Sequence, residues 1–158
     1  MQLEAWQKKD EMMEPTATEK KGTILIVDDE MGPRESLRMI LKPHYEVFAA
    51  ADGKEALNIL RQAKVDVVTL DLKMPGLSGL DVLREIRKYH TDVEVIIITA
   101  YGSPQNVKDA NRFGARSFIC KPFNSMELIN YIHQLFERRS YSLKAKNQSK
   151  YNSLMTRE

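Results

Sequence analysis

Between positions 22 and 139 the chain alternates five times between a short apolar run and a longer stretch whose apolar residues recur at helical spacing. The short runs cover residues 23–28 (TILIVD), 45–50 (YEVFAA), 65–71 (VDVVTLD), 94–99 (EVIIIT) and 116–121 (RSFICK). They are rich in β-branched and aromatic residues, which pack well on a pleated surface, so each predicts a strand. The first, third and fourth are almost unbroken in apolar residues, as interior strands covered on both faces require. Strands alternating with helices predict a parallel sheet sandwiched between two helical layers, an α/β fold with right-handed crossovers.

The longer stretches carry helix start signals. Asp52 with Glu55, Ser78 with Asp81, and Asn124 with Glu127 have capping-box spacing, in which a short polar side chain accepts from the orphan amides of the first turn. Ser103 precedes Pro104, so the serine can cap while the proline fills the first helical position, where a missing N–H costs nothing. Pro75 and Gly76 read as turn chemistry. In the last helix Leu128, Ile129, Ile132, Leu135 and Phe136 form one stripe and predict firm packing on the sheet. Residues 104–113 offer only Val107, Ala110 and Phe113, so little burial holds the fourth helix and it is the element expected to shift.

Parallel α/β sheets bind ligands at the carboxyl ends of their strands. Here those ends are polar: Asp28, Asp29 and Glu30 after the first strand, Asp71 after the third, Thr99 after the fourth and Lys121 after the fifth. Carboxylates a few Å apart repel by about 4 kcal/mol per close pair at an effective dielectric of 20, so the pattern calls for a cation. Mg2+ suits a set of hard oxygens, is held by one or two carboxylates, and keeps waters and phosphate oxygens as its remaining ligands. With Lys121 as a second positive charge and Thr99 as a hydrogen-bond donor, the set fits phosphoryl transfer, whose transition state is stabilised by positioning, metal and cations. Asp71 would be the nucleophile, and a carboxylate needs no general base to attack phosphorus.

Composition narrows the remaining choices. A chain of 158 residues with 42% hydrophobic and 29% charged residues has room for one ordinary soluble domain. Its net charge of +2 makes no global case for binding nucleic acid or an anionic membrane. No apolar run approaches membrane-spanning length, and the N-terminus lacks a signal-peptide core, so a cytoplasmic location is expected. Cys120, the single cysteine, is expected as a small buried filler. His44, His90 and His133 lie on three separate segments and are expected as surface residues. Residues 1–21 read as a flexible extension, 22–139 as the domain, and 140–158 as a solvated tail or the start of a linker.

At these residues the chain resembles a known family. The acid pair Asp28-Asp29, DLKMPGLSG from Asp71, TAYG from Thr99 and KPF from Lys121 are similar, in this order, to the motifs of bacterial two-component response-regulator receiver domains. The resemblance spans Gly22 to about Arg139. It implies a flavodoxin-like, doubly wound sandwich of five parallel strands in order 2-1-3-4-5 with five helices. It also implies a switch that takes a phosphoryl group onto Asp71 from a histidine kinase or phosphotransfer protein. Such a protein promotes its own phosphorylation and dephosphorylation without turning over an external substrate. Asp28, Asp29, Asp71 and the Lys73 carbonyl would hold Mg2+. Thr99 and Lys121 would bind phosphoryl oxygens, a cis Lys121-Pro122 bond would aim the lysine, and Phe118 would be the switch aromatic. The output face, and a possible homodimer contact, would combine the fourth helix, fifth strand and last helix, with no nucleic-acid contact by the domain itself.

Lys73 and Tyr101, two positions after Asp71 and Thr99, are expected to flank the path of water to a phosphorylated Asp71 and so to tune its lifetime. Glu30 reads equally well as a solvated helix-leading carboxylate. A receiver-like binding module that is never phosphorylated and an aspartyl-phosphate phosphatase are the rival readings. The complete site argues against the first, and the lack of a second aspartate two positions on and of a cap insertion argues against the second. About 19 residues follow Arg139, too few for an output domain, which leaves a stand-alone receiver or the N-terminal fragment of a DNA-binding transcriptional regulator.

Overall fold

A computed structural model describes residues 19–155; residues 1–18 of the expected N-terminal extension lie outside the described residues. Five strands, β1 (Thr23–Val27), β2 (Glu46–Ala50), β3 (Val67–Leu70), β4 (Glu94–Thr99) and β5 (Ser117–Cys120), form one parallel sheet in the order β2-β1-β3-β4-β5. Five helices connect or follow them: α1 (Met31–Leu41), α2 (Gly53–Gln62), α3 (Gly79–Tyr89), α4 (Pro104–Arg112) and α5 (Ser125–Met155). Strand order reverses between β1 and β3, so the crevice where such folds take ligands opens above those two strands.

Side chains alternating across the sheet build two cores. On one face Leu25, Val27, Val68, Leu70, Val95 and Ile97 pack with Ala56 and Leu60 of α2, Val82, Leu83 and Ile86 of α3, and Ala110 of α4. On the other, Ile24, Ile26, Val67, Ile96 and Ile98 pack with Leu37 and Leu41 of α1 and Leu128, Ile132 and Leu135 of α5. Continuous burial of β1, β3 and β4 follows from this double cover. The predicted caps form: Asp52 accepts from the Glu55 amide, Ser78 from Asp81, Ser103 from Asn106, and Asn124 from both Met126 and Glu127. Ala110 is the only fully buried residue of α4, so that helix is held as weakly as its sequence suggested.

Three expectations change. Cys120 is exposed rather than buried, because β5 is an edge strand with helical cover that stops short of its last residue. The helix predicted to end near Arg139 continues to Met155, and every residue from Ser140 to Met155 is exposed. The histidines are not all isolated on the surface. His44, before β2, and His133 of α5 meet edge to face with ring centroids 5.2 Å apart, beside a Tyr45–Phe136 stack at 4.7 Å.

That aromatic cluster is costly in polar terms. Among the described residues the Tyr45 hydroxyl and His133 Nε2 are buried without a hydrogen-bond partner. Burial first, then the charge of Glu137, pushes the Tyr45 phenol up to about 12. Burial, with Lys21 and His44 adding to it and Glu137 opposing, holds His133 below its ordinary 6.5. The folded chain therefore favours neutral His133, whereas the unfolded chain protonates it freely near pH 6.5. Stability should be fully present above that pH and fall as the pH drops through it. Urea unfolding at pH 7.5, 6.5 and 5.5 should show this loss, and His133→Gln should flatten it; an unchanged slope in the variant would refute the assignment.

Glycine matters most at Gly79, the first residue of α3. Its amide donates to the Leu72 carbonyl at 2.8 Å, and a Cβ there would run into the Asp71 carbonyl and lie 2.6 Å from Leu72 Cα. Both obstacles are backbone, so they cannot swing aside. Gly79→Ala should lower the unfolding free energy from urea denaturation by about 1–3 kcal/mol, as overpacking does, and should shift the backbone amide signals of Asp71 and Leu72.

Candidate functional site

Each residue of the polar constellation stands at the carboxyl end of its strand, and three of them still use the ladder. The Asp28 amide donates to Ala50 O at 3.2 Å, the Asp71 amide to Val27 O at 3.0 Å and the Lys121 amide to Thr99 O at 2.9 Å. The sheet thus fixes the main chain of the site while the side chains turn up into the crevice. Asp28, Asp71 and Thr99 are buried, and Asp29 is exposed at the rim. One carboxylate oxygen from each of Asp28, Asp29 and Asp71 falls within 4.8 Å of the others.

Lys121 organises the buried part. Its Nζ lies 2.6 Å from Asp28 Oδ2 and 3.0 Å from Asp71 Oδ2, and the Lys121-Pro122 bond that follows is cis. Burial alone would lower the lysine, but hydrogen bonds and charge from the two aspartates outweigh it and raise the ammonium above its ordinary value. It therefore stays charged. Three carboxylates against one ammonium leave a formal −2, which a divalent cation with a preference for oxygen ligands would balance.

The other oxygens are committed too. Asp28 Oδ1 accepts from the Glu30 amide at 2.9 Å, and Asp71 Oδ1 accepts from the Thr99 hydroxyl at 2.8 Å and the Lys73 amide at 3.3 Å. Thr99 Oγ1 in turn accepts from the Tyr101 amide at 3.2 Å, and the Tyr101 carbonyl accepts from Asn106 Nδ2 at 2.8 Å. Asn106 also donates its amide to the Ser103 cap. A continuous run of hydrogen bonds thus leads from Asp71 to the first turn of α4.

Above the acids a cleft of about 510 Å3 is lined by Asp29, Glu30, Asp71, Lys73, Tyr101 and Lys121, among others. At its lip the Lys73 ammonium sits 4.5 Å from the centre of the Tyr101 ring. A second cavity, of about 330 Å3 and mostly apolar, lies behind Asp28 and Lys121 between α1 and the loop into α5. Phe118 is not at the cleft. It is half-buried on β5 against the core shared with α3 and α4.

Sequence reasoning brought Asp28, Asp29, Asp71, Thr99, Lys121, Lys73 and Tyr101 to one place, as found, and missed three supports. Arg34 of α1 donates to the Asp28 carbonyl at 2.8 Å and clamps the acid-bearing turn. Nothing in its spacing announces this. Asn106 looked like an ordinary first-turn residue, and Gly79 was overshadowed by the Ser78 cap, although a glycine directly after a cap is itself a packing signal.

Comparison with known proteins agrees with this geometry. Residues 24–133 match the family model described as the response regulator receiver domain. The chain is 35% identical over 118 residues to sporulation initiation phosphotransferase F of Bacillus subtilis, covering 74% of this chain and 95% of that protein. It is 35% identical over 114 residues to chemotaxis protein CheY of Thermotoga maritima, covering 71% and 95%. The match to the probable transcriptional regulator ycf27 of Guillardia theta is 41% over 121 residues, 76% of this chain but 47% of that one. Among solved structures, a CheY-like receiver domain protein from Methanospirillum hungatei superposes with a TM-score of 0.74 at 29% identity, over 77% of this chain and 98% of its own. Response regulator protein TrrA of Thermotoga maritima, in complex with Mg(2+)-BeF, gives 0.66 at 38% identity, over 72% and 98%. With its fold, its strand order and its acidic crevice in agreement with them, this chain belongs to the response regulator receiver domain family of two-component systems.

Proposed function

We propose that this chain is a phosphorylation-dependent signalling switch in which Asp71 accepts a phosphoryl group from a histidine kinase or phosphotransfer protein. The observation that carries the reading is the Asp28–Lys121–Asp71 bridge beside a convergent third carboxylate, Asp29. Asp71 Oδ bonds to phosphorus as the bond from phosphorus to the donor histidine nitrogen breaks; the nitrogen keeps that electron pair. Mg2+ would supply charge neutralisation of the phosphoryl oxygens, held by Asp28, Asp29, Asp71 and the Lys73 carbonyl. The TrrA complex with Mg(2+)-BeF supports that choice of ion. Lys121 and Thr99 bind phosphoryl oxygens, which gives both side chains a second partner in place of Asp71.

The switch follows from that exchange. Phosphorylation adds about −1.5 to −2 charge at the site. As Thr99 turns toward it, the Thr99–Tyr101 bond lengthens, α4 resettles through Asn106, and Phe118 turns into the vacated space. The face of α4, β5 and α5 is then remodelled for a partner or a second copy. No helix among the described residues is long and apolar enough to cross a membrane, and the reading has the chain meeting its kinase in the cytoplasm.

Incubation with Mg2+ and a small acyl-phosphate donor should add one phosphoryl mass to the intact protein. Asp71→Asn and omission of Mg2+ should each abolish the gain; an unmodified wild type would favour the rival binding module. Lys73 and Tyr101 should set the phosphoryl lifetime jointly, because their contact, worth about 0.5–1 kcal/mol at an exposed site, holds both over the water path. Removing either by Lys73→Ala or Tyr101→Ala should change the rate of phosphoryl loss by several-fold, and the double variant should fall short of the product of the two effects.

A further inference from the structure

The feature not used by phosphoryl transfer is the far half of α5. From Ser140 to Met155 it projects about 24 Å, at 1.5 Å per residue, with every side chain exposed. Charge is segregated onto it. Residues 138–157 hold six of the chain's 24 Lys and Arg and no acid, whereas the other positions set 18 bases against all 22 acids and so carry −4. Arg139 is tied to the Asp92 carbonyl and Asp66, but beyond it Lys144, Lys146 and Lys150 are exposed with no acidic partner among the described residues.

The pattern decides between partners. The apolar seam Ile129, Ile132 and Phe136, continued at heptad spacing, reaches Arg139, Leu143, Lys146 and Lys150, so a parallel second copy would bring like charges together with no acids to pair them. A membrane-lying helix needs one apolar face, but Tyr141 and Leu143 point about 200° apart. What recurs among the bases is Ser, Asn, Gln and Tyr, the side chains that join Lys and Arg in contacts to phosphate and sugar. Lys146 and Lys150, in line with Arg139 at i+7 and i+11, fall within an arc of about 40°. Duplex DNA offers a negative charge about every 1.7 Å, and its major groove admits a helix.

We propose that the α5 extension is a nucleic-acid-binding arm that engages the phosphate backbone of duplex DNA with little sequence preference, leaving the receiver body free. The arm is independent of the chemistry at Asp71. Fluorescence anisotropy of the full chain with a labelled mixed-sequence duplex should show binding that weakens about forty-fold between 50 and 200 mM KCl. That corresponds to a log–log slope of about −2.7 for the three phosphate contacts of Lys144, Lys146 and Lys150. The combined variant Lys144→Gln, Lys146→Gln, Lys150→Gln should lower affinity at least tenfold and flatten the slope by about 2.7, while Asp71→Asn should bind as wild type. No binding at 50 mM KCl, an unaltered triple variant, or tighter binding to phosphatidylserine vesicles or polyglutamate than to the duplex would overturn the proposal.

Discussion

One ammonium group holds the site together. Lys121 reaches from the last strand to aspartates on β1 and β3, and without it two buried carboxylates would face each other across the crevice. At an effective dielectric of 20 such a pair repels by about 4 kcal/mol, a large fraction of the 5–15 kcal/mol that keeps a domain folded. The lysine removes much of that cost and also pins β5, an edge strand with half-buried residues, to the centre of the sheet. Chemistry and architecture therefore share one contact, and a ligand that competes for Lys121 acts on both.

That sharing works because the sheet has left nothing else undecided. Parallel register brings the carboxyl ends of β1, β3 and β4 level, and ladder bonds from Asp28, Asp71 and Lys121 carry order one residue past the strands. Rigidity then falls away sharply. α3 buries Val82, Leu83 and Ile86, whereas α4 buries only Ala110 and relies on the Ser103 cap and the Asn106 bond to Tyr101. A firm scaffold beneath a loosely seated helix is the arrangement in which a change at one carboxylate can move one element and spare the rest.

Much of this was legible in the sequence because periodicity reports burial. Unbroken apolar runs marked β1, β3 and β4, and polar residues at their ends marked the crevice. Cap residues gave the starts of α2, α3, α4 and α5 to the residue, and α1 has no side-chain cap to announce it. The sequence was less informative where tertiary context overrides local pattern. Cys120 alternates like a filler, yet sits where the cover over an edge strand ends. His44 and His133 lie far apart in the chain and meet only because α5 packs over the start of β2. The run past Arg139 has no apolar stripe to advertise a helix, so its continuation was invisible to a burial argument. Arg34 and Asn106 act on main-chain carbonyls, which no side-chain motif records.

The Asn106 bond has a consequence for how such a protein diversifies. Because α4 is joined to the site by main-chain groups and one amide, the proposed function would leave the remaining exposed positions of that helix free of catalytic duty. Under the proposed function, substitutions there would retarget the protein to new partners with phosphoryl chemistry intact, and substitutions at Lys73 or Tyr101 would reset timing without redrawing the docking face. Recognition and duration would then be separately mutable traits, a division that would let duplicated copies of one gene drift apart in wiring before they differ in chemistry.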